Sequence, residues 1–170
     1  MISISESVVN ARSPYALTRV EELTFSLTTD KGVQYFIGFN EDHEFLSEGS
    51  YYFMIENVNG THVEHDEKLL QTIFVLIEEF FNQDPMIMLY VCDSKDKRQE
   101  ARNRLFSSWF KRYKNADQYI LHRKSIQGVN TSYYAGVLMR VDNPAKDILI
   151  DLFDQFVATI ERVVSRSSGK

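Results

Sequence analysis

The sequence predicts an α+β fold: a single domain with a mixed, largely antiparallel sheet of about six strands packed by three helices, in the order ββ-β-α-β-α-ββ-α. Three observations carry that expectation. Residues 22–39 alternate apolar and polar with period two, residues 66–82 and 144–163 repeat apolar side chains at helical spacing, and 170 residues suit one core. A hydrophobic fraction of 44% and an aromatic fraction of 13% supply that core without help from a disulfide or a metal. The expected organisation is an N-terminal arm or edge strand over residues 1–19, one domain over 20–164 and a loose tail over 165–170.

The arm mixes Ser, Asn, Arg and Pro14 around the apolar pair Val8–Val9. From Glu22, the residues Leu23, Phe25 and Leu27 fall on one face and Thr24, Ser26 and Thr28 on the other, the pattern of a half-buried strand. Asp30-Lys31-Gly32 supplies a turn with a glycine suited to positive φ, and Val33, Tyr35, Ile37 and Phe39 return as the second strand of a hairpin. An acidic loop from Asn40 to Ser50 leads to a third strand over Tyr51–Val58, ended by Asn59-Gly60. Over Asp66–Asn82, Leu69, Leu70, Ile73, Phe74, Ile77, Phe80 and Phe81 recur at spacings of three and four, which predicts a helix closed by Pro85.

The continuous apolar run Met86–Val91 reads as a strand buried on both sides, and Asp93, Ser94 or Asp96 can cap a second helix reaching about Lys114. Tyr119–His122 and Tyr133–Val141 follow as a pair of strands joined by the polar loop Ser125–Ser132. Pro144 suits the first turn of a last helix, whose apolar face comprises Ile148, Leu149, Leu152, Phe153, Phe156, Ile160 and Val163.

Several function classes lose their usual signatures. Met1–Asn10 contains Glu6 and has neither a basic start nor an apolar run, so no secretory leader is expected; with the lone Cys92 this favours a cytoplasmic chain. No stretch of about 18 apolar residues offers a membrane span, and no membrane partner is expected. His43, His62, His65 and His122 form no H-E-x-x-H pair, and a single cysteine cannot build a zinc pattern. With seven glycines and no phosphate-loop, dinucleotide or nucleophile-elbow motif, no catalytic residue, metal or cofactor is expected.

Charge is polarised. Lys95–Lys124 contains ten Lys or Arg against three Asp or Glu, a net of +7, so the remainder carries −12 to give the total of −5. Advancing 100° per residue from Leu105, Arg98 falls at about 20° and Arg102 at about 60°, inside the arc occupied by Ala101, Trp109, Tyr113 and Phe106. An unpaired guanidinium in that sector costs several kcal/mol, so both arginines call for an internal carboxylate such as Asp93 or for a bound anion. Asp93, Ser94, Arg98 and Arg102 are therefore the candidate anion- or partner-binding residues, with Cys92 at the same strand–helix corner. The first functional reading is a non-catalytic binding or regulatory protein that contacts an acidic partner through the basic second helix. The alternatives are a small-anion-binding enzyme or sensor at the corner Asp93–Arg102, and nucleic-acid binding along 95–124. The acidic total and a pI near 5.4 count against the last.

The run Tyr90-Val91-Cys92-Asp93-Ser94-Lys95-Asp96-Lys97-Arg98-Gln99-Glu100-Ala101-Arg102, followed by Phe106, Trp109 and Phe110, together with the hairpin turn Thr29–Gly32, resembles a signature of a family of small bacterial proteins of unassigned function. That resemblance implies no reaction, cofactor or site.

Overall fold

The computed structural model describes residues 1–60, 65–92, 99–128 and 132–167, the side chains of Cys92, residues 99–105, Ser132 and Ser167 excepted. The elements are α1 (Glu6–Asn10), β1 (Thr18–Glu21), β2 (Thr24–Thr28), β3 (Gln34–Asp42), β4 (Ser50–Asn57), α2 (Glu67–Phe81), β5 (Ile87–Cys92), α3 (Gln99–Arg112), a 3-10 turn (Ala116–Gln118), β6 (Tyr119–Gln127), β7 (Ser132–Arg140) and α4 (Lys146–Ser167). The fold is α+β and mostly antiparallel, with α1 and β1 added to the expected set. Its contacts divide the chain into two compact units, Met1–Glu41 with Tyr51–Pro85, and Asp42–Ser50 with Met86–Lys170.

In the first unit the strands follow the order β1-β2-β3-β4. β2 and β3 form the expected hairpin, with Phe25 opposite Ile37 and Leu27 opposite Tyr35. Gly32 takes φ +79°, while the Thr29 hydroxyl accepts from the Val33 amide at 3.1 Å and stabilises the turn. The arm is packed. Ile2, Ile4, Val9, Tyr15 and Leu17 are buried, and the Asn10 amide clamps the Leu17 backbone, donating to its carbonyl at 2.8 Å and accepting from its N–H at 2.7 Å. α2 is capped by Asp66, whose carboxylate accepts from the Leu69 amide at 3.1 Å, and it lays Phe80 flat on Phe39 of β3, ring centroids 4.0 Å apart.

In the second unit β5, β7 and β6 lie side by side in that order, all antiparallel. Register sorts the side chains into two faces. Tyr90, Gly136 and Arg123 form one row across the three strands, and Leu89, Val137 and His122 form the adjacent row on the opposite face. α3 covers the first face through Phe106 and Ser107, and α4 covers the second through Phe153 and Asp154. β6 runs to Gln127, well into the segment expected to be a loop, because an edge strand can pair on one side and keep Lys124 and Ser125 in solvent.

Two further expectations are corrected. Pro144 precedes α4 rather than sitting in its first turn, since the Leu149 amide already reaches the Ala145 carbonyl at 2.9 Å, and the helix continues through Ser167 into the segment expected to be loose. The apolar arc of α4 is also wider than its buried face. Leu149, Phe153 and Val157 are buried, whereas Ile148 is 66% exposed, Leu152 39% and Val163 63%. From the acidic loop, Phe45 meets Phe153 and Phe156 edge-on, with centroids 6.2 and 5.4 Å away. No helix among the described residues is long and apolar enough to cross a membrane.

Candidate functional site

The corner singled out by sequence is placed only in part. Asp93, Ser94 and Arg98 lie outside the described residues, and Arg102 is described by its α3 backbone alone. Cys92 ends β5 opposite Tyr134 of β7. The described half of the basic segment, Lys111–Lys124, holds Lys111, Arg112, Lys114, Arg123 and Lys124 against Asp117, a net of +4.

These cations divide by strand face. His122 and Lys124 point to the α4 side, where both meet Asp154, at 2.7 and 3.7 Å. Arg123, one residue between them, points to the α3 side and donates to the hydroxyl of buried Ser107. Ser107 and Lys111 are four residues apart on α3, so they share one stripe of the helix, and Lys114 stands in the turn just past its end. Arg123 is thus tied to the stripe that carries Lys111, with Lys114 following the helix end; all three are exposed, and no carboxylate among the described residues pairs with any of them.

The floor beside Arg123 is aromatic. Gly136 stands between Tyr90 and Arg123 in the register row, and a Cβ there would fall 2.5 Å from Tyr90 Cζ and 2.7 Å from its hydroxyl, so the tyrosine ring lies across β7 towards β6. Phe106 of α3 packs on that ring at 4.5 Å. The Trp109 indole N–H is buried and finds no acceptor among the described residues. Chemically the arrangement offers one tethered guanidinium, two exposed ammonium groups and an aromatic base, the makings of a surface for carboxylates or phosphates rather than a proton-transfer site.

Helix polarity supplies a structural reason for some of this charge. Lys111 sits with Arg112 in the last turn of α3, where cations complement the free carbonyls. That reason does not extend to Arg123, which lies on a strand and spends its tether on a neutral hydroxyl.

Sequence reasoning placed Arg123 in the basic segment but did not separate it from its neighbours. The available signal was Gly136 in the interior of the strand Ser132–Arg140, since a strand glycine marks close approach by another group.

A family model matches residues 65–155, from the start of α2 to the middle of α4. The chain belongs to DUF6169, a family of unknown function. The match contains Lys111, Lys114 and Arg123 and the Tyr90–Phe110 signature, and it excludes the hairpin turn at Thr29–Gly32. No curated protein matches the chain. Among solved structures, a probable acetyltransferase of the GNAT family from Chromobacterium violaceum ATCC 12472 is similar at 13% identity and a TM-score of 0.42, covering 71% of this chain. The chain spans 58% of that protein's length.

Proposed function

We propose that this DUF6169 member is a non-catalytic binding protein that receives an acidic protein segment along the C-terminal half of α3. The observation that carries the reading is the tether of Arg123 to Ser107, one helical turn from Lys111 and with Lys114 just past the helix end, a set of cations with no described carboxylate to neutralise it. Like charges gathered at one surface repel one another, a cost that an incoming carboxylate would turn into attraction. The acidic remainder of the chain would discourage non-specific adhesion of anions elsewhere and orient the encounter. Asp93, Ser94, Arg98 and Arg102 belong to the same proposal as the contacts nearer the start of the helix.

The test is fluorescence anisotropy with a labelled oligoglutamate peptide and, in parallel, a single-stranded oligonucleotide of equal charge. The triple variant Lys111→Ser, Lys114→Ser, Arg123→Gln should bind the peptide about tenfold more weakly, the sum of three exposed charge contacts, and added salt should erase the difference. A second variant, Arg98→Ala with Arg102→Ala, tests the sequence-derived corner. Equal peptide affinity in the parent and triple variant would defeat the reading. Tighter binding of the oligonucleotide, with the same residue dependence, would move the surface to nucleic acid.

A further inference from the structure

The outer face of α4 has a composition that its own unit does not use. With Ile148 at zero and 100° per residue, the buried Leu149, Phe153 and Val157 lie at about 100°, 140° and 180°. Opposite them the exposed face has two unlike edges. Leu152 and Val163 occupy one edge at about 40° and 60°, and Asp151 and Arg162 occupy the other at about −60° and −40°, with Gln155 and Thr159 between. All six are exposed.

Charge along this face is segregated. Asp147 and Asp151 stack one turn apart near the start of the helix, and Arg162 and Arg166 stack one turn apart near its end. Helix polarity accounts for Asp147 in the first turn and Arg166 in the last, but Asp151 and Arg162 lie beyond those turns, and no ion pair among the described residues relieves either. A two-fold axis passing beside Gln155, perpendicular to the helix, reverses a second α4 against the first while keeping each edge against its own kind. Asp151 then meets Arg162 of the second copy, Ile148 meets Val163, and Leu152 meets Thr159, each twice over about 22 Å of helix.

We infer that α4 is a self-association surface, pairing antiparallel with α4 of a second copy of this chain. Both the acid-to-base polarity and the two-edged face follow from that one operation, and a parallel pair would set like charge on like charge. A single helix pair buries less than the roughly 800 Å² per partner of a standard interface, so the dimer is weak, with a dissociation constant on the order of 10–100 μM.

Sedimentation velocity on the full chain between about 5 and 500 μM tests this. The parent protein should shift from monomer to dimer across that range. Asp151→Arg alone sets arginine against arginine and Arg162→Asp alone sets carboxylate against carboxylate, so each should dimerise at least tenfold more weakly; circular dichroism confirms that these exposed changes leave the fold intact. An equimolar mixture of the two single variants restores both attractive pairs and should recover a heterodimer. A parent protein that stays monomeric throughout overturns the inference, and so does a dimer that neither reversal weakens or a mixture that fails to recover.

Discussion

Tyr90 lies over Gly136 so closely that a methyl group at 136 would stand 2.5 Å from its Cζ. The tyrosine cannot retreat, because Phe106 packs on its ring at 4.5 Å. Gly136→Ala should therefore cost about 1–3 kcal/mol in urea unfolding, and Tyr90→Ala in the same chain should make the added methyl nearly neutral. Additive losses in the double variant would show that the methyl clashes with something other than the ring.

The Asp66 carboxylate serves two partners, accepting from the Leu69 amide at 3.1 Å and from the Tyr15 hydroxyl at 2.7 Å. Asp66→Ala removes a helix cap and leaves the Tyr15 hydroxyl without its acceptor. A loss of about 2 kcal/mol is expected, against about 1 for a cap alone, and Tyr15→Phe should account for the difference. Equal losses for Asp66→Ala in the parent and in the Tyr15→Phe background would show that the two roles are independent.

Alkali should unfold the first unit. Burial raises the hydroxyls of Tyr15, Tyr35 and Tyr51 above the usual 10.0, with the carboxylates of Asp66, Asp30, Glu41 and Glu22 adding to it. The folded form therefore holds these protons more tightly than the unfolded chain does, and the stability they contribute is complete below about pH 10 and declines as pH rises through the folded values. Lys68 moves in the same sense, raised from 10.5 by its hydrogen bond to Asp30. Urea midpoints should be level as pH approaches 10 and fall above it, less steeply for Tyr35→Phe. A midpoint that rises there contradicts the assignment.

Trp109→Phe removes a buried N–H that has no acceptor among the described residues. The loss of ring contacts and the relief of an unsatisfied donor oppose each other, so the change in stability should stay within about 1 kcal/mol. A loss of about 3 kcal/mol would reveal an acceptor.

Regular elements were legible because their periods are clean. Phe25 and Leu27, alternating with Thr24, Ser26 and Thr28, announce β2, and the three-and-four spacing of Leu69 through Phe81 announces α2. The arm was not legible: Ile2, Ile4, Val9, Tyr15 and Leu17 are buried at intervals of two, five, six and two, which sustain neither period along the segment, and the Asn10 clamp rather than pattern holds it. α4 shows the opposite difficulty, since its apolar residues fit one helical arc, yet the arc is broader than the sheet beneath it can cover. Of the candidate site, the excess of positive charge was readable along the chain. Its convergence was not, because Arg123 reaches Ser107 only once strand register has chosen its face.

Phe45 depends on α4, which is synthesised more than a hundred residues later. At translation rates of about 5–20 residues per second, the phenylalanine emerges some 5–20 s before its packing partners exist. During that interval it is flanked by Glu41, Asp42, Glu44 and Glu48. Charges beside an exposed aromatic side chain act as gatekeepers against aggregation. The acidity of this loop thus guards the nascent chain, and once Phe153 and Phe156 arrive Asp42 turns to a second task, its carboxylate accepting from the Glu44 and Phe45 amides at 3.2 and 3.0 Å.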